Sequence, residues 1–456
     1  MDDKELLALE KQYCSYGDTV HYSDPPIIFR RCEGQYMYDS EGTPYFDLQM
    51  WYSASSFGYK NERLNNVLKK QLDILPQCAC QYLHEEKVLV AAKIAQAIEK
   101  KFGEKGRVHF NVGGAQAVDD AIKLIRNHVG KNPVFAFMGG YHGRTLGASA
   151  ITSSYRYRRR YGHFGDRGLF IPYPYCYRCY YGKKRVDCGF YCLKQFEKLF
   201  ETEYYGVWDA KAKQSEYFAF FVEAIQGTGG YVIPPDGYFP GLKKICDKYN
   251  ILIVDDEIQM AWFRTGKMFA MENFGITPDV MVFGKALTNG LNPLSGIWAR
   301  EELISPEKFP PGSTHSTFSS NSLGTAVALE TLKIMEEDPD LGAKIDKKGE
   351  YFLGLLRELK KKYPNIGDVD GIGLTIRIEI TTDDGFTPDR DLCDRIFEEG
   401  LKGDLTYKGK KYGLVLDVGG YYKNVFTLAP IFDITEEDME MATDLFEQCL
   451  KRSLNA

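Results

Sequence analysis

Three things are missing from this chain of 456 residues. No apolar run approaches the roughly 18 residues that a membrane helix requires, so no membrane span is expected. The first residues, Met-Asp-Asp-Lys-Glu, are acidic and lack the apolar stretch of a secretory signal, which predicts a cytoplasmic protein. Positive charge is not in surplus either: 57 Lys and Arg stand against 63 Asp and Glu, a formal net charge of −6. Such a balance gives no general attraction to nucleic acid or to anionic membrane, so any anionic ligand must be caught by local chemistry. Internal repeats and low-complexity linkers are absent as well.

What is present is ordinary globular material with two excesses. A hydrophobic fraction of 44% and a charged fraction of 26% exclude disorder, collagen and a simple coiled coil. Aromatic residues make up 14%, 31 of them Tyr, and there are 11 Cys. An odd number of scattered cysteines in a chain this long fits reduced thiols better than a disulfide framework. Cys176, Cys179, Cys188 and Cys192 form a cluster whose spacing suits tetrahedral zinc or an iron–sulfur centre, although a metal is not the favoured reading.

From about residue 105 to 300, short apolar runs alternate with longer amphipathic stretches, the sign of βαβ units around a largely parallel sheet. The expected strands are Arg107–Val112, Val134–Met138, Phe218–Glu223, Ile251–Asp255 and Val280–Phe283. In the expected helix Gln116–Val129, Ala117, Ala121, Leu124 and Ile125 share one face. Two strand-like pieces around Glu41-Gly42 predict a small β-meander, and after Glu337 a helix (Phe352–Tyr363) and a strand (Leu374–Ile380) follow. The expected organisation is residues 1–64 as the N-terminal part of a small domain, 65–336 as a large α/β domain, and 337–456 as the C-terminal part of the small domain.

Three motifs carry chemistry. In Asn111-Val-Gly-Gly-Ala-Gln-Ala, glycines leave a strand and open a helix, whose free N–H groups and dipole suit a phosphate. The run lacks both the second half of Gly-x-Gly-x-x-Gly and the Lys-Ser/Thr of a P-loop, and a plain strand-to-helix turn explains it equally well. Ile251-Leu-Ile-Val-Asp-Asp-Glu-Ile-Gln ends an apolar strand in three acids, at the edge where open α/β sheets carry their active sites. Lys285 follows the apolar run Met281-Val-Phe-Gly, and a lysine there either reaches solvent or serves as a nucleophilic amine. A phosphate cradle, a strand-end acid and a lysine, in that order, are what pyridoxal phosphate demands.

On these residues the chain resembles the class III aminotransferases of the fold-type I pyridoxal phosphate enzymes, from Ile27 to Ile434. That resemblance implies a mostly parallel central sheet with helices on both faces, and a smaller α+β domain built from both termini. It puts the backbone of Gly114 and Ala115 on the phosphate. Gly139-Gly-Tyr-His-Gly-Arg-Thr is similar to the family's aromatic-His-Gly-Arg-Thr, which sets Tyr141 on the pyridine ring with His142 beside it. Glu223-Ala-Ile-Gln-Gly matches Glu-Pro-Ile-Gln-Gly, and Asp256-Glu-Ile-Gln matches Asp-Glu-Val-Gln. By the register of Glu257 and Gln259, Asp256 rather than Asp255 then pairs with the ring nitrogen, and Gln259 meets the ring hydroxyl. Lys285 matches the Schiff-base lysine. Ser316-Thr-Phe-Ser-Ser-Asn resembles Ser-Thr-Phe-Gly-Gly-Asn, whose threonine, here Thr317, reaches the phosphate of a neighbouring subunit and implies a homodimer with shared sites.

Two departures bear on substrate. Thr228 replaces a family acid, and Thr427 replaces the arginine that in relatives binds the α-carboxylate of glutamate or 2-oxoglutarate, so the carboxylate fork is lost unless another arginine enters the pocket. Trp51 and Tyr52 stand near the expected substrate position, lining the pocket or packed as core. The run Tyr155–Tyr161, with Arg156, Arg158 and Arg159, is either a solvated basic face or a clamp for a phosphorylated, adenine-bearing substrate. The expected reaction moves an amino group from a β- or ω-amine to a 2-oxo acid, with a β-aminoacyl-CoA such as 3-aminobutyryl-CoA as the first substrate choice. An ordinary 4-aminobutyrate or 5-aminovalerate aminotransferase and an amino-acid racemase or epimerase are the alternatives.

Overall fold

The computed structural model describes residues 1–17, 21–130, 133–158, 161 and 168–455. A seven-stranded sheet runs through it in the order Gly106–Asn111, Ser295–Arg300, Val280–Phe283, Leu252–Asp256, Ala219–Val222, Phe135–Phe137, Leu169–Ile171. Ser295–Arg300 lies antiparallel to both neighbours, and the other pairings are parallel. Strands Ala219–Val222 and Val280–Phe283 are buried at every residue, which explains their unbroken apolar runs: helices cover both faces. The two-residue period sorts the side chains. Val254, Val280 and Val282 pack under Ala117, Ala121, Leu124 and Ile125 of helix Gly114–Val129. On the other face, Phe220 and Ile253 meet Leu242 and Ile245 of helix Tyr238–Lys248, while Met281 and Phe283 meet Val90 and Ile94 of helix Glu85–Phe102. Each fully buried aliphatic or aromatic side chain of this kind contributes about 1.5–3 kcal/mol.

The expected strands stand within a residue or so of their observed bounds. Ser295–Arg300 was not expected from the sequence. Its Ser-Gly-Ile-Trp-Ala-Arg offers neither alternation nor a long β-branched run, and it is a strand because Phe110 and Phe283 flank it on both edges. The expected helix Phe352–Tyr363 is the second half of Leu341–Lys362, whose first turns are anchored by Leu341 and Ile345.

Strands from the two ends of the chain meet in a five-stranded sheet ordered Phe29–Glu33, Tyr36–Asp39, Pro44–Asp47, Lys410–Val415, Leu405–Tyr407, where Asp47 pairs in parallel with Val415. A four-stranded antiparallel sheet, Ile366–Ile372, Thr375–Ile380, Val425–Leu428 and Val418–Gly419, adjoins helices Leu341–Lys362 and Glu436–Leu454. Among the described residues, no helix is long and apolar enough to cross a membrane.

Just past Pro44–Asp47 the backbone makes a left-handed turn, with φ of 45°, 53°, 56° and 68° at Met50, Trp51, Tyr52 and Ser53. L-residues pay about 1–2 kcal/mol each for this conformation, so such a turn survives only where its surroundings hold it. Asp47 Oδ1 accepts the N–H groups of Gln49 and Met50 at 2.7 and 2.9 Å, Ser53 N–H donates to Gln49 O at 3.0 Å, and the Met50 side chain is fully buried.

Candidate active site

A cavity of about 730 Å³ opens over the carboxyl ends of the central strands, where Gly113, Gly114 and Ala115, the loop Tyr141–Thr145, Glu223, Asp256, Gln259 and Lys285 converge. Helix Gly114–Val129 begins at this cavity with no side chain capping its first N–H groups. The loop crosses directly over that helix start. At Gly143 (φ +122°) a Cβ would come within 2.4 Å of the Ala115 Cβ, so only glycine permits the approach.

The strand alternation resolves the acids of Leu252–Asp256. Asp256 faces the cavity, while Asp255 and Glu257 are fully buried on the opposite side. Burial, together with the neighbouring Glu257 carboxylate, pushes Asp255 well above the usual carboxylate range, and burial lifts Glu257 to about 7. Asp256 Oδ2 is 2.8 Å from His142 Nδ1, and its Oδ1 accepts the Ile258 N–H at 3.1 Å. Because a carboxylate only accepts, His142 Nδ1 carries the proton. Burial opposes charge on this imidazole, but the Asp256 contact and the nearby Glu223 outweigh it and raise its pKa. Glu223 accepts the N–H of Tyr141 and of Gly227, each at 2.8 Å, and burial lifts its carboxyl to about 7.

Lys285 starts a short 3-10 helix after strand Val280–Phe283 and itself adopts φ 44°, a strained conformation costing about 1–3 kcal/mol. Lys285 is partly exposed at the cavity. Desolvation brings its pKa down to about 8 against the opposing pull of Asp256, Glu223 and Asp417. Gln259 also lines the cavity, its amide donating to Tyr231 Oη at 3.0 Å. Trp51 and Tyr52 are not core: they line the cavity, 55% and 37% exposed, and Tyr52 Oη lies 2.7 Å from Tyr22 Oη.

Other sequence candidates fall elsewhere. Thr317 is exposed and, among the described residues, is not part of the cavity wall. Neither Arg156, which is exposed, nor Arg158 lines the cavity; the Arg158 guanidinium donates to Ser153 O at 2.5 Å and lies 5.1 Å from the Phe170 ring. Arg159 is outside the described residues. Among the described residues, no group of three or more His, Cys, Asp or Glu is arranged to hold a metal, and Cys176, Cys179, Cys188 and Cys192 form no disulfide. Their segment is instead fastened by its neighbours: Tyr175 and Arg178 both bond to Glu379, a buried carboxylate that also engages Arg377 and, at 3.3 Å, Asn424.

Sequence reasoning missed Arg144 and Asp417. Arg144 lines the cavity, its guanidinium 4.3 Å from the Tyr157 ring centre, while Tyr157 meets Tyr141 edge-on at 5.4 Å. The signal was there in Tyr141-His-Gly-Arg-Thr, and this is an arginine that enters the pocket although Thr427 does not supply one. Thr427 is buried and donates to Asp417 Oδ2 at 2.7 Å, so the position carries a carboxyl near enough to Lys285 to act on its charge.

An uncapped helix start for a phosphate, a carboxylate with a histidine behind it, a tyrosine ring and a desolvated lysine around one cavity fit pyridoxal phosphate. With the parallel sheet they define a fold-type I enzyme of that cofactor. The class-III aminotransferase family model matches residues 19–450, and the chain belongs to that family of pyridoxal phosphate-dependent transaminases. An alanine/serine racemase of Pyrococcus horikoshii is 32% identical over 452 residues, 99% of this chain and 91% of its own. An ornithine aminotransferase of Brevibacillus brevis is 30% identical over 438 residues, covering 94% and 95%. A solved Bacillus anthracis aminotransferase superposes with a TM-score of 0.85 at 25% identity, covering 99% of this chain and 100% of that one.

Proposed function

We propose that this enzyme moves an amino group from a β- or ω-amine to a 2-oxo acid, working as a cytoplasmic homodimer, with a β-aminoacyl-CoA such as 3-aminobutyryl-CoA as the preferred donor. One observation carries the reading: Thr427, where the family has an arginine, is buried and bonded to Asp417, whose carboxyl acts on the charge of Lys285. An α-carboxylate next to the amine would find no guanidinium at position 427. Arg144, beside Tyr141 and Tyr157, is left to receive an anionic group carried further from the amine. The exposed Thr317, and exposed Leu83 and Phe318, support a second protomer completing the site.

The residues divide the work. Gly114 and Ala115 would hold the phosphate of the cofactor, Asp256 its ring nitrogen and Tyr141 its ring. Pyridoxal phosphate supplies an electron sink for the pair left behind when a proton leaves the carbon bearing the substrate nitrogen. His142 and Glu223 keep Asp256 and the Tyr141 backbone in position. Lys285 Nζ, with its pKa brought down to about 8, takes that proton as general base and returns it as acid.

The test offers the pure enzyme 3-aminobutyryl-CoA, 4-aminobutyrate, 5-aminovalerate and L-alanine, each with and without 2-oxoglutarate. Donor consumption that depends on the 2-oxo acid and is fastest with the thioester supports the proposal. Preference for 4-aminobutyrate or 5-aminovalerate replaces it with the simpler ω-amino acid reading. Loss of optical activity of L-alanine without a 2-oxo acid replaces it with racemisation, the reading favoured by the kinship with the Pyrococcus horikoshii protein.

A further inference from the structure

Arg264 is 1% exposed and reaches four acceptors, none of them a carboxylate. Its Nε donates to Ser53 Oγ at 3.0 Å and its Nη2 to Ser56 Oγ at 2.7 Å, while Nη1 reaches Pro430 O at 2.6 Å and Leu374 O at 3.3 Å. The guanidinium lies 4.8 Å from the Phe432 ring centre, and the backbone carbonyl of the same residue accepts the Leu374 N–H at 3.0 Å. A buried charge is costly, and this one is met by four neutral acceptors fixed around the flat five-donor fork of a guanidinium rather than by a carboxylate.

That geometry is imposed on the left-handed turn. Ser53 is its last residue, and the Ser53 hydroxyl works in both directions: it accepts from Arg264 and donates to Gln259 O at 3.2 Å. Ser56 likewise accepts from Arg264 and donates to Ser53 O at 3.2 Å. The turn holds Trp51 against Gly290, where an added Cβ would come within 2.8 Å of the indole, and Tyr52 beside it at the cavity. Arg264 therefore ties three stretches distant in sequence, 53–56, 374 and 430, to the wall that a substrate meets.

We propose that Arg264 is a positioning residue for substrate choice, holding the Met50–Ser53 turn so that Trp51 and Tyr52 shape the amine end of the cavity. The inference rests on this cavity being the transaminase site. A lysine keeps the charge at 264 but offers one nitrogen in place of three, and cannot serve all four acceptors. The test compares hydrogen exchange in the holoenzyme, its Arg264→Lys variant and its Ser56→Ala variant. Backbone amides of residues 48–57 should exchange about tenfold faster in Arg264→Lys and by a smaller factor in Ser56→Ala, with residues 252–256 unchanged in both. In donor kinetics, KM should rise about tenfold with kcat held within about threefold. Unchanged exchange at 48–57 in both variants overturns the proposal, and so does uniform acceleration across the central sheet in both. Faster exchange at 48–57 with KM unchanged in Arg264→Lys would also overturn it, leaving a purely structural tie, whereas a wild-type enzyme that turns over no amine would refute the functional reading instead.

Discussion

The floor and the rim of the cavity are built on different principles. The floor is made of strand ends and the loop that crosses them: Asp256, His142 and Glu223 are held by short hydrogen bonds, and burial acts on the proton affinities of His142, Glu223 and Lys285. The rim is made of long side chains, Trp51, Tyr52 and Arg144, partly open to water, with Arg144 lying over the ring of Tyr157. Such a division lets chemistry and selectivity vary independently. Groups that move protons must be fixed and desolvated, whereas groups that choose a substrate need only present the right surface.

Mutations at the two regions should therefore fail in different ways. The largest effect belongs to the floor: Lys285→Ala should lower single-turnover rates of donor consumption by on the order of 10⁴-fold or more, with donor affinity little changed. Asp256→Asn keeps the shape and removes the charge, and should cost on the order of 10²–10³-fold in kcat in the same assay. At the rim, Arg144→Ala should raise KM for donors with an anionic tail by about 10- to 100-fold while leaving an uncharged amine within about twofold, as expected for one charge-assisted hydrogen bond. An equal loss for charged and uncharged amines would erase the distinction between floor and rim. The smallest effect is in pH: because Lys285 must be neutral to accept a proton, the single-turnover rate at saturating donor should rise through about pH 8 and flatten above it. A rate that falls across that interval would contradict a general base at this position.

The same division governs what could be read from the sequence. The floor is legible because each of its parts is a short contiguous run: glycines entering a helix, acids ending an apolar strand, a lysine after Met281-Val-Phe-Gly. The motif register of Glu257 and Gln259 singled out Asp256 over Asp255, and the period-two geometry of the strand turns Asp256 to the cavity while Asp255 and Glu257 are buried, since neighbours in a strand face opposite ways. Asp417 was not legible, because its meaning comes from Thr427 and Lys285, which lie on other segments. Arg144 was written in a motif already read for its tyrosine, and its role emerges only with Tyr157 beneath it. The basic run around Arg156 and Arg158 drew attention as a concentration of charge, yet Arg158 is spent on Ser153 O and the Phe170 ring. Composition records how much charge is present and not where it points. In the fold, strand Ser295–Arg300 escaped for a similar reason, its conformation being set by its two partners rather than by its own residues.

The parallel pairing of Asp47 with Val415 has a consequence in time. On the ribosome, the strand leading into the Trp51–Tyr52 turn emerges about 370 residues before its partner, a wait of roughly 20 to 70 s at about 5–20 residues per second. Arg264 emerges in between, whereas Pro430, which it also grips, comes later still. The central sheet can be assembled earlier in synthesis, but the turn that shapes the cavity rim must wait until Val415 and Pro430 have emerged. A nascent chain should therefore acquire the proton-handling floor first and its discrimination among amines last.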